Sequence, residues 1–95
     1  MICRNLKVNG RRTSLRMERD IWEAVDDVAR RRCVSVTELV SEIDRQRGDA
    51  GLTACLRVYV LSYYRNVVER LDTYGMTRIP FVRGVERVPE HTTLQ

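Results

Sequence analysis

The sequence lacks the residues from which most catalytic and metal sites are built. Its 95 residues contain three cysteines and one histidine. Cys3, Cys33 and Cys55 form no Cys-x-x-Cys motif, and His91 lies far from all of them. No nucleophile–base pair and no glycine-rich phosphate loop is present either. We therefore expect no enzyme, no catalytic residue, no cofactor and no bound metal.

Long apolar runs are also missing. The longest covers only residues 58–61, whereas about 20 apolar residues are needed to span a bilayer. No apolar stretch follows the charges near the N-terminus, as it would in a secretory signal. We expect a cytoplasmic protein with no membrane partner.

Positive charge is concentrated at the start of the chain. The net charge is +4, yet residues 1–19 carry six basic side chains against one acidic side chain. Such a local field favours polyanions, above all when a dimer brings two copies together. The charge distribution alone is also consistent with a solvated basic N-terminal arm that has no specific partner. The six are Arg4, Lys7, Arg11, Arg12, Arg16 and Arg19.

Residues 11–17 alternate between two faces in the manner of a β-strand. Thr13, Leu15 and Met17 form one face, and Arg12, Ser14 and Arg16 form the other. Because like charges on one strand face repel each other, we expect an anionic partner to cover the basic face.

Three amphipathic helices follow the strand. The first is predicted over residues 19–32, with acidic residues early and arginines late, as the helix dipole favours. Ser35-Val36-Thr37-Glu38 is a capping box that starts the second helix, and the glycines of residues 48–51 end it. The third is predicted over residues 52–71. Its apolar stripe is wide enough to indicate a second packing surface, within a dimer or between dimers.

This order of a basic strand, a helix, a tight turn and a second helix resembles the ribbon-helix-helix family. Residues 12–17, the helix 19–32 and the segment 33–37 carry the resemblance, which extends to about residue 64 and is similar to a bacterial variant with an added helix. The implied fold is mainly α with a short β-ribbon, arranged as a homodimer with an additional third helix. Residues 11–71 form this domain, residues 1–10 a basic arm or the first strand of a hairpin, and residues 72–95 an irregular tail.

The resemblance implies double-stranded DNA as the partner. In the family, strands from two subunits form a ribbon that enters the major groove, which implies base contacts from Arg12, Ser14 and Arg16. The start of the second helix binds phosphate, a role that its free amides also favour. The implied phosphate contacts are Arg4, Lys7, Arg11, Ser35, Val36 and Thr37. The implied dimer core consists of Leu15, Met17, Ile21, Trp22, Val25, Val28, Leu39, Val40 and Ile43.

Two features depart from the family pattern. Cys33 stands where the family has a glycine, at a turn position that favours positive φ. Because positive φ is unfavourable for a residue with a Cβ, we expect the turn and its phosphate contact to differ slightly from the family's. Asn9-Gly10 is typical of a two-residue hairpin turn. If residues 5–8 pair with residues 11–14 of the same subunit, a dimer sheet has four strands, too many for the groove.

The predicted function is therefore a sequence-specific DNA-binding homodimer, acting as a transcriptional repressor or autoregulator. One alternative is an antitoxin that binds a toxin through residues 72–95. Another is a protein-assembly module that does not bind DNA, which the Asn9-Gly10 turn and the wide stripe of the third helix favour.

Overall fold

The computed structural model describes residues 1–75, which form a two-stranded antiparallel ribbon followed by three helices. This confirms the predicted mainly helical fold with a short β-ribbon and a third helix; the predicted homodimer stays a prediction. Most of the predicted tail, residues 72–95, lies outside the described residues, as does His91. The elements are β1 (Ile2–Val8), β2 (Arg11–Met17), α1 (Arg19–Arg32), α2 (Val36–Gln46) and α3 (Leu52–Asp72).

The first seventeen residues form a hairpin within one chain. Asn9 has φ 48° and Gly10 has φ 84°, and this pair of left-handed residues is what a type I′ turn requires. The pairing runs from Val8 opposite Arg11 to Ile2 opposite Met17. Residues 1–10 are therefore a strand and not a free arm, and the hairpin is longer than the segment for which the sequence predicted it.

One face of the hairpin packs against the helices. Val8, Leu15 and Met17 are buried on this inner face, because alternate residues of both strands point to the same side. The indole Nε1–H of Trp22 donates a hydrogen bond of 2.8 Å to the carbonyl oxygen of Ile2. This bond joins β1 to α1 and satisfies the only polar atom of a buried tryptophan side chain.

The core is closed by the chain's own elements. Of the nine residues implied as a dimer core, eight are buried within the single chain and Ile21 is half-buried. Val8, Ala29, Leu56 and Val60 complete this core from β1, α1 and α3. The implied contact of these nine residues with a second subunit stays a prediction.

The turn between α1 and α2 keeps the positive φ of the position where the family has a glycine, so the expected change at Cys33 does not appear in its backbone. Cys33 lies in the left-handed region, at φ 60° and ψ 39°. Its N–H and that of Val34 donate to the carbonyls of Arg30 and Ala29 at 3.1 and 3.0 Å, which is a Schellman motif. This conformation raises the free energy of a residue with a Cβ by about 1 kcal/mol. The hydrogen bonds of the turn therefore stabilise a backbone conformation that is unfavourable for Cys33.

The first part of α3, up to Tyr63, belongs to the compact unit formed by Met1–Tyr63. Leu56 and Val60 are buried, and Arg57 forms an ion pair of 2.8 Å with Glu18. Val58 and Leu61 are 62% and 59% exposed, on the side of α3 opposite the buried Leu56 and Val60. None of the helices formed by residues 1–75 combines the length and the apolar character that a membrane span requires.

Candidate nucleic-acid interface

The outer face of the hairpin is polar, basic and exposed. The strand register places three residues of β1 directly opposite three residues of β2 on this face, and all six are exposed. Neither strand contains an aspartate or a glutamate. The three cross-strand pairs are Lys7 with Arg12, Asn5 with Ser14, and Cys3 with Arg16.

Three cations of this face have no carboxylate partner. Among residues 1–75, no ion pair involves Lys7, Arg12 or Arg16. Lys7 and Arg12 are cross-strand neighbours, and like charges in that position repel each other. An anion lying across the face would relieve this repulsion, so the geometry fits a phosphate-rich partner.

The centre of the face is organised by a side-chain hydrogen bond. The hydroxyl of Ser14 donates to Oδ1 of Asn5 across the strands at 2.5 Å. This bond fixes the orientation of the Asn5 amide, whose Nδ2 then carries the free donors. The arrangement therefore presents hydrogen-bonding groups of defined direction between two basic ends.

Arg4, predicted to contact phosphate, lies on the opposite face. Its guanidinium donates to both carboxylate oxygens of Asp26, at 2.8 and 2.9 Å, and lies 4.4 Å from the centre of the Trp22 ring. The hydrogen bond to Asp26 raises the pKa of Arg4. Its charge is thus compensated inside the fold, and the structure does not bring it together with Arg12 and Arg16.

Arg11, also predicted to contact phosphate, is bound to α2. The carboxylate of Asp44 accepts hydrogen bonds from Arg47 Nε at 2.7 Å, from Asn9 Nδ2 at 2.9 Å and from Arg11 at 2.8 Å. The bonds from Arg47, Asn9 and Arg11, in that order, hold the pKa of Asp44 well below its usual range. Arg11 therefore helps to fix the hairpin on α2.

The turn residue Asn9 makes further bonds to the same helix. Its Nδ2 donates to the carbonyl oxygen of Ser41 at 3.0 Å, and its Oδ1 accepts from Arg45 at 2.9 Å. A turn residue was expected only to adopt positive φ; here its side chain also sets the position of the hairpin tip relative to α2. The sequence did not predict these contacts between Asn9 and α2.

The start of α2 has the predicted capping box. Ser35 Oγ accepts from the N–H of Glu38 at 3.0 Å, and the Glu38 carboxylate accepts from the N–H of Ser35 at 2.7 Å, which lowers the pKa of Glu38. First-turn N–H groups lack acceptors within a helix, so those of Val36 and Thr37 are the ones that a phosphate would meet. The carboxylate of Glu38 occupies the N–H of Ser35 and leaves those of Val36 and Thr37 without this acceptor.

A signal for the contribution of β1 was present in the sequence. Counting outward from Asn9-Gly10 pairs Lys7 with Arg12 and Asn5 with Ser14. Lys7 was predicted as a phosphate contact, and Asn5 was not predicted to take part at all. As for metals, the part of the chain from residue 1 to residue 75 brings together no group of three or more metal-binding side chains.

The chain matches a known family. The model of a family described as "Ribbon-helix-helix domain" matches residues 1–64, which include both strands, α1, α2 and the first half of α3. Domains of this family typically dimerise and bind DNA, as transcription regulators or antitoxins and not as enzymes. No curated protein and no solved structure matches the chain.

Proposed function

The chain belongs to the ribbon-helix-helix domain family, and we propose that it binds double-stranded DNA sequence-specifically as a homodimeric transcriptional repressor of its own operon. The observation that carries the proposal is the outer face of the hairpin. Lys7, Arg12 and Arg16 are exposed there, on strands without a single carboxylate. A dense, unpaired positive surface of this kind favours a polyanion.

The dimensions of the hairpin suit the major groove. Adjacent strands lie about 4.8 Å apart, and a groove about 12 Å wide admits a two-stranded ribbon. A four-stranded sheet spans about 14 Å between its outer strands before side chains are added. The proposal therefore places a single hairpin in the groove, with its outer face towards the base edges.

The outer residues of β2 and the start of α2 have chemical roles in this proposal. Arg12 and Arg16 donate paired hydrogen bonds to guanine O6 and N7, and Ser14 bonds either base type. Val36 and Thr37 meet a flanking phosphate through their N–H groups. Arg4 and Arg11 take no part, because their guanidinium groups already bind Asp26 and Asp44.

The dimer contact is placed on α3 in this proposal. Val58 and Leu61 are large apolar side chains that stay exposed in the single chain, and exposed apolar patches often mark protein contacts. Pairing of two copies through β2 would instead create the four-stranded sheet that the groove excludes. Contact through α3 keeps each hairpin narrow.

A protein-assembly module is the second candidate. The ordered hairpin within one subunit and the exposed Val58 and Leu61 of α3 favour it. The chemistry of the outer face argues for DNA, because that face carries unpaired cations where a protein contact usually has an apolar centre. The antitoxin alternative depends on residues 72–95, most of which lie outside the described residues.

The test is a binding titration with DNA from upstream of the chain's own gene and with random duplex of equal length. Affinity should fall steeply between about 50 and 200 mM salt, since phosphate contacts release counterions. Arg16→Ala should weaken binding to the upstream DNA by about tenfold more than binding to random DNA. Arg30→Ala, which removes the same charge from the last turn of α1, is the matched control and should change neither.

Two results would contradict the proposal. Absence of binding to either duplex at low salt would leave the assembly module as the better candidate. An equal loss on both duplexes for Arg16→Ala would show that this arginine supplies charge but reads no base.

A further inference from the structure

We propose that the guanidinium of Arg45, held beside the hairpin turn by the side chain of Asn9, binds a phosphate of the DNA backbone. This proposal rests on the proposed function, to which it adds a contact from the body of α2. Neither residue belongs to β2, so the assignment is the same whether or not a strand of a partner subunit pairs with β2. Neither was among the predicted DNA contacts.

Arg45 is the only cation in the sequence of α2, and it has no carboxylate partner. Among residues 1–75, no ion pair involves it. Glu42, three positions earlier, is the carboxylate with which a helical arginine would ordinarily pair. However, all three carboxylates of α2 are bonded to other groups: Glu38 to the N–H of Ser35, Glu42 to Arg32, and Asp44 to Arg11 and Arg47. The charge of Arg45 is therefore available to an anion from outside the fold.

The side chain of Asn9 determines where this charge lies. The guanidinium of Arg45 donates to Oδ1 of Asn9 at 2.9 Å. Nδ2 of the same amide donates to the carbonyl oxygen of Ser41 at 3.0 Å and to the carboxylate of Asp44 at 2.9 Å, and these two bonds set the orientation of the amide. Asn9 and Arg45 are both exposed. A single bond to a neutral amide leaves most of the guanidinium N–H donors free for a phosphate, and little side-chain freedom is lost on binding.

Arg45 continues the basic surface of the hairpin onto α2. Lys7 and Arg12 form the cross-strand pair next to the one that flanks the turn, and the bond to Asn9 places Arg45 at the turn itself. Three exposed cations therefore lie near the same end of the hairpin. Base edges form the floor of the major groove and phosphates form its rims, so a group beside the ribbon, and not on its outer face, meets phosphate first.

Arg45 lies too far from the start of α2 to share the phosphate proposed there. Thr37, Ser41 and Arg45 follow one another at intervals of four residues and so lie along the same side of α2. Two such intervals span about 12 Å of helix, which is more than a single phosphate group covers. Arg45 should therefore bind a separate phosphate, and its contribution to affinity should add to that of the helix start.

The test measures the affinity of the full chain for upstream and random duplexes at several salt concentrations. Arg45→Gln should weaken binding to both duplexes by the same factor, about threefold to tenfold, and should lower the slope of log K against log salt by about 0.9. Arg45→Lys keeps the charge and should keep the slope. Arg47→Gln is the matched control, because it removes the same charge from a guanidinium that already binds Asp44 and the carbonyl oxygen of Ala50. It should leave the slope unchanged.

A second comparison tests Asn9 as a positioning residue. Asn9→Gly removes the amide but keeps a turn sequence, Gly-Gly, that adopts the same left-handed conformation. Affinity is measured well below the unfolding transition of this variant, so that a loss of stability is not counted as a loss of binding. If Asn9 acts through Arg45, Asn9→Gly should weaken the wild type by no more than Arg45→Gln does, and should not weaken Arg45→Gln further.

The outcomes separate this contact from the proposed function. If the wild type prefers upstream DNA but Arg45→Gln keeps its affinity and salt slope, the phosphate contact is overturned and the proposed function stands. Equal losses for Arg45→Gln and Arg47→Gln overturn the contact too, because net charge alone would then explain them. Additive losses for Asn9→Gly and Arg45→Gln overturn the positioning role of Asn9. Failure of the wild-type chain to bind either duplex removes the proposed function itself.

Discussion

The arginines on the two faces of the hairpin differ in their bonding partners. On the inner face, Arg4 and Arg11 each bind an aspartate that a helix supplies. On the outer face, Arg12 and Arg16 have no such partner among the described residues. Arg11 and Arg12 are neighbours in sequence, yet one fixes the hairpin on α2 and the other faces outward. The face on which an arginine lies, and not the number of arginines in the strand, therefore indicates its role.

The difference has an electrostatic consequence. A guanidinium that already donates two hydrogen bonds to a carboxylate gains little from a phosphate, because the existing pair must first be broken. An exposed guanidinium without a partner exchanges only water for the phosphate or base. Under the proposed function we therefore expect Arg4, which donates two hydrogen bonds to Asp26, and Arg11, which donates one to Asp44, to add less to DNA binding than Arg12 and Arg16 do.

The largest expected effect compares two double variants of equal charge. Arg12→Gln with Arg16→Gln removes two charges from the outer face and should lower DNA affinity at least about hundredfold at moderate salt. Its unfolding transition should stay close to that of the wild type. Arg4→Gln with Arg11→Gln removes two charges from the inner face. It should lower the free energy of unfolding while the folded protein binds DNA within about threefold of the wild type.

Fluorescence anisotropy and urea denaturation of the wild type and the two double variants would check this contrast. The slope of log K against log salt should fall by about 0.9 for each lost phosphate contact in the outer variant alone. Equal losses of affinity in both double variants would mean that net charge, and not the face, governs binding. The two faces would then be equivalent for DNA.

Much of the local structure could be predicted from the sequence. The alternation of residues 11–17, the capping box at Ser35 and the left-handed conformation of Cys33 are all local features. The limits of α1 agree with the periodicity of the chain, since charges of the favourable sign lie at both ends. Such predictions succeed because neighbouring residues determine them.

The pairing of the arginines could not be predicted in the same way. Arg4 meets a carboxylate 22 positions away, and Arg11 meets one 33 positions away. These contacts depend on how the helices lie against the hairpin, which periodicity does not specify. The register of β1 and β2 could have been predicted from the sequence, because the Asn9-Gly10 turn determines it. Treating residues 1–10 only as a possible first strand left Asn5 out of the candidate site.

A smaller effect concerns the pair formed by Arg4 and Asp26 on the inner face. Its two parallel hydrogen bonds and the contact of Arg4 with Trp22 should together contribute about 1–2 kcal/mol to the free energy of unfolding. A double-mutant cycle with Arg4→Gln and Asp26→Asn, measured by urea denaturation, isolates the interaction free energy between Arg4 and Asp26. If the losses of stability in the two single variants add up to the loss in the double variant, Arg4 and Asp26 have no interaction energy, because solvent screens this half-exposed pair completely. The inner arginine would then be no better compensated than the outer ones.

The smallest expected effect is the pH dependence that Asp44 introduces. Its folded-state pKa lies below the ordinary value of 3.8 because Arg47, Asn9 and Arg11 donate hydrogen bonds to its carboxylate. The stability that it contributes is therefore present above the ordinary pKa and is lost as the pH falls below it. The difference in unfolding midpoint between wild type and Asp44→Asn should be largest near neutral pH and should vanish in strong acid. A difference for Asp44→Asn that does not change with pH would mean that the inner face holds its arginine by shape and not by charge.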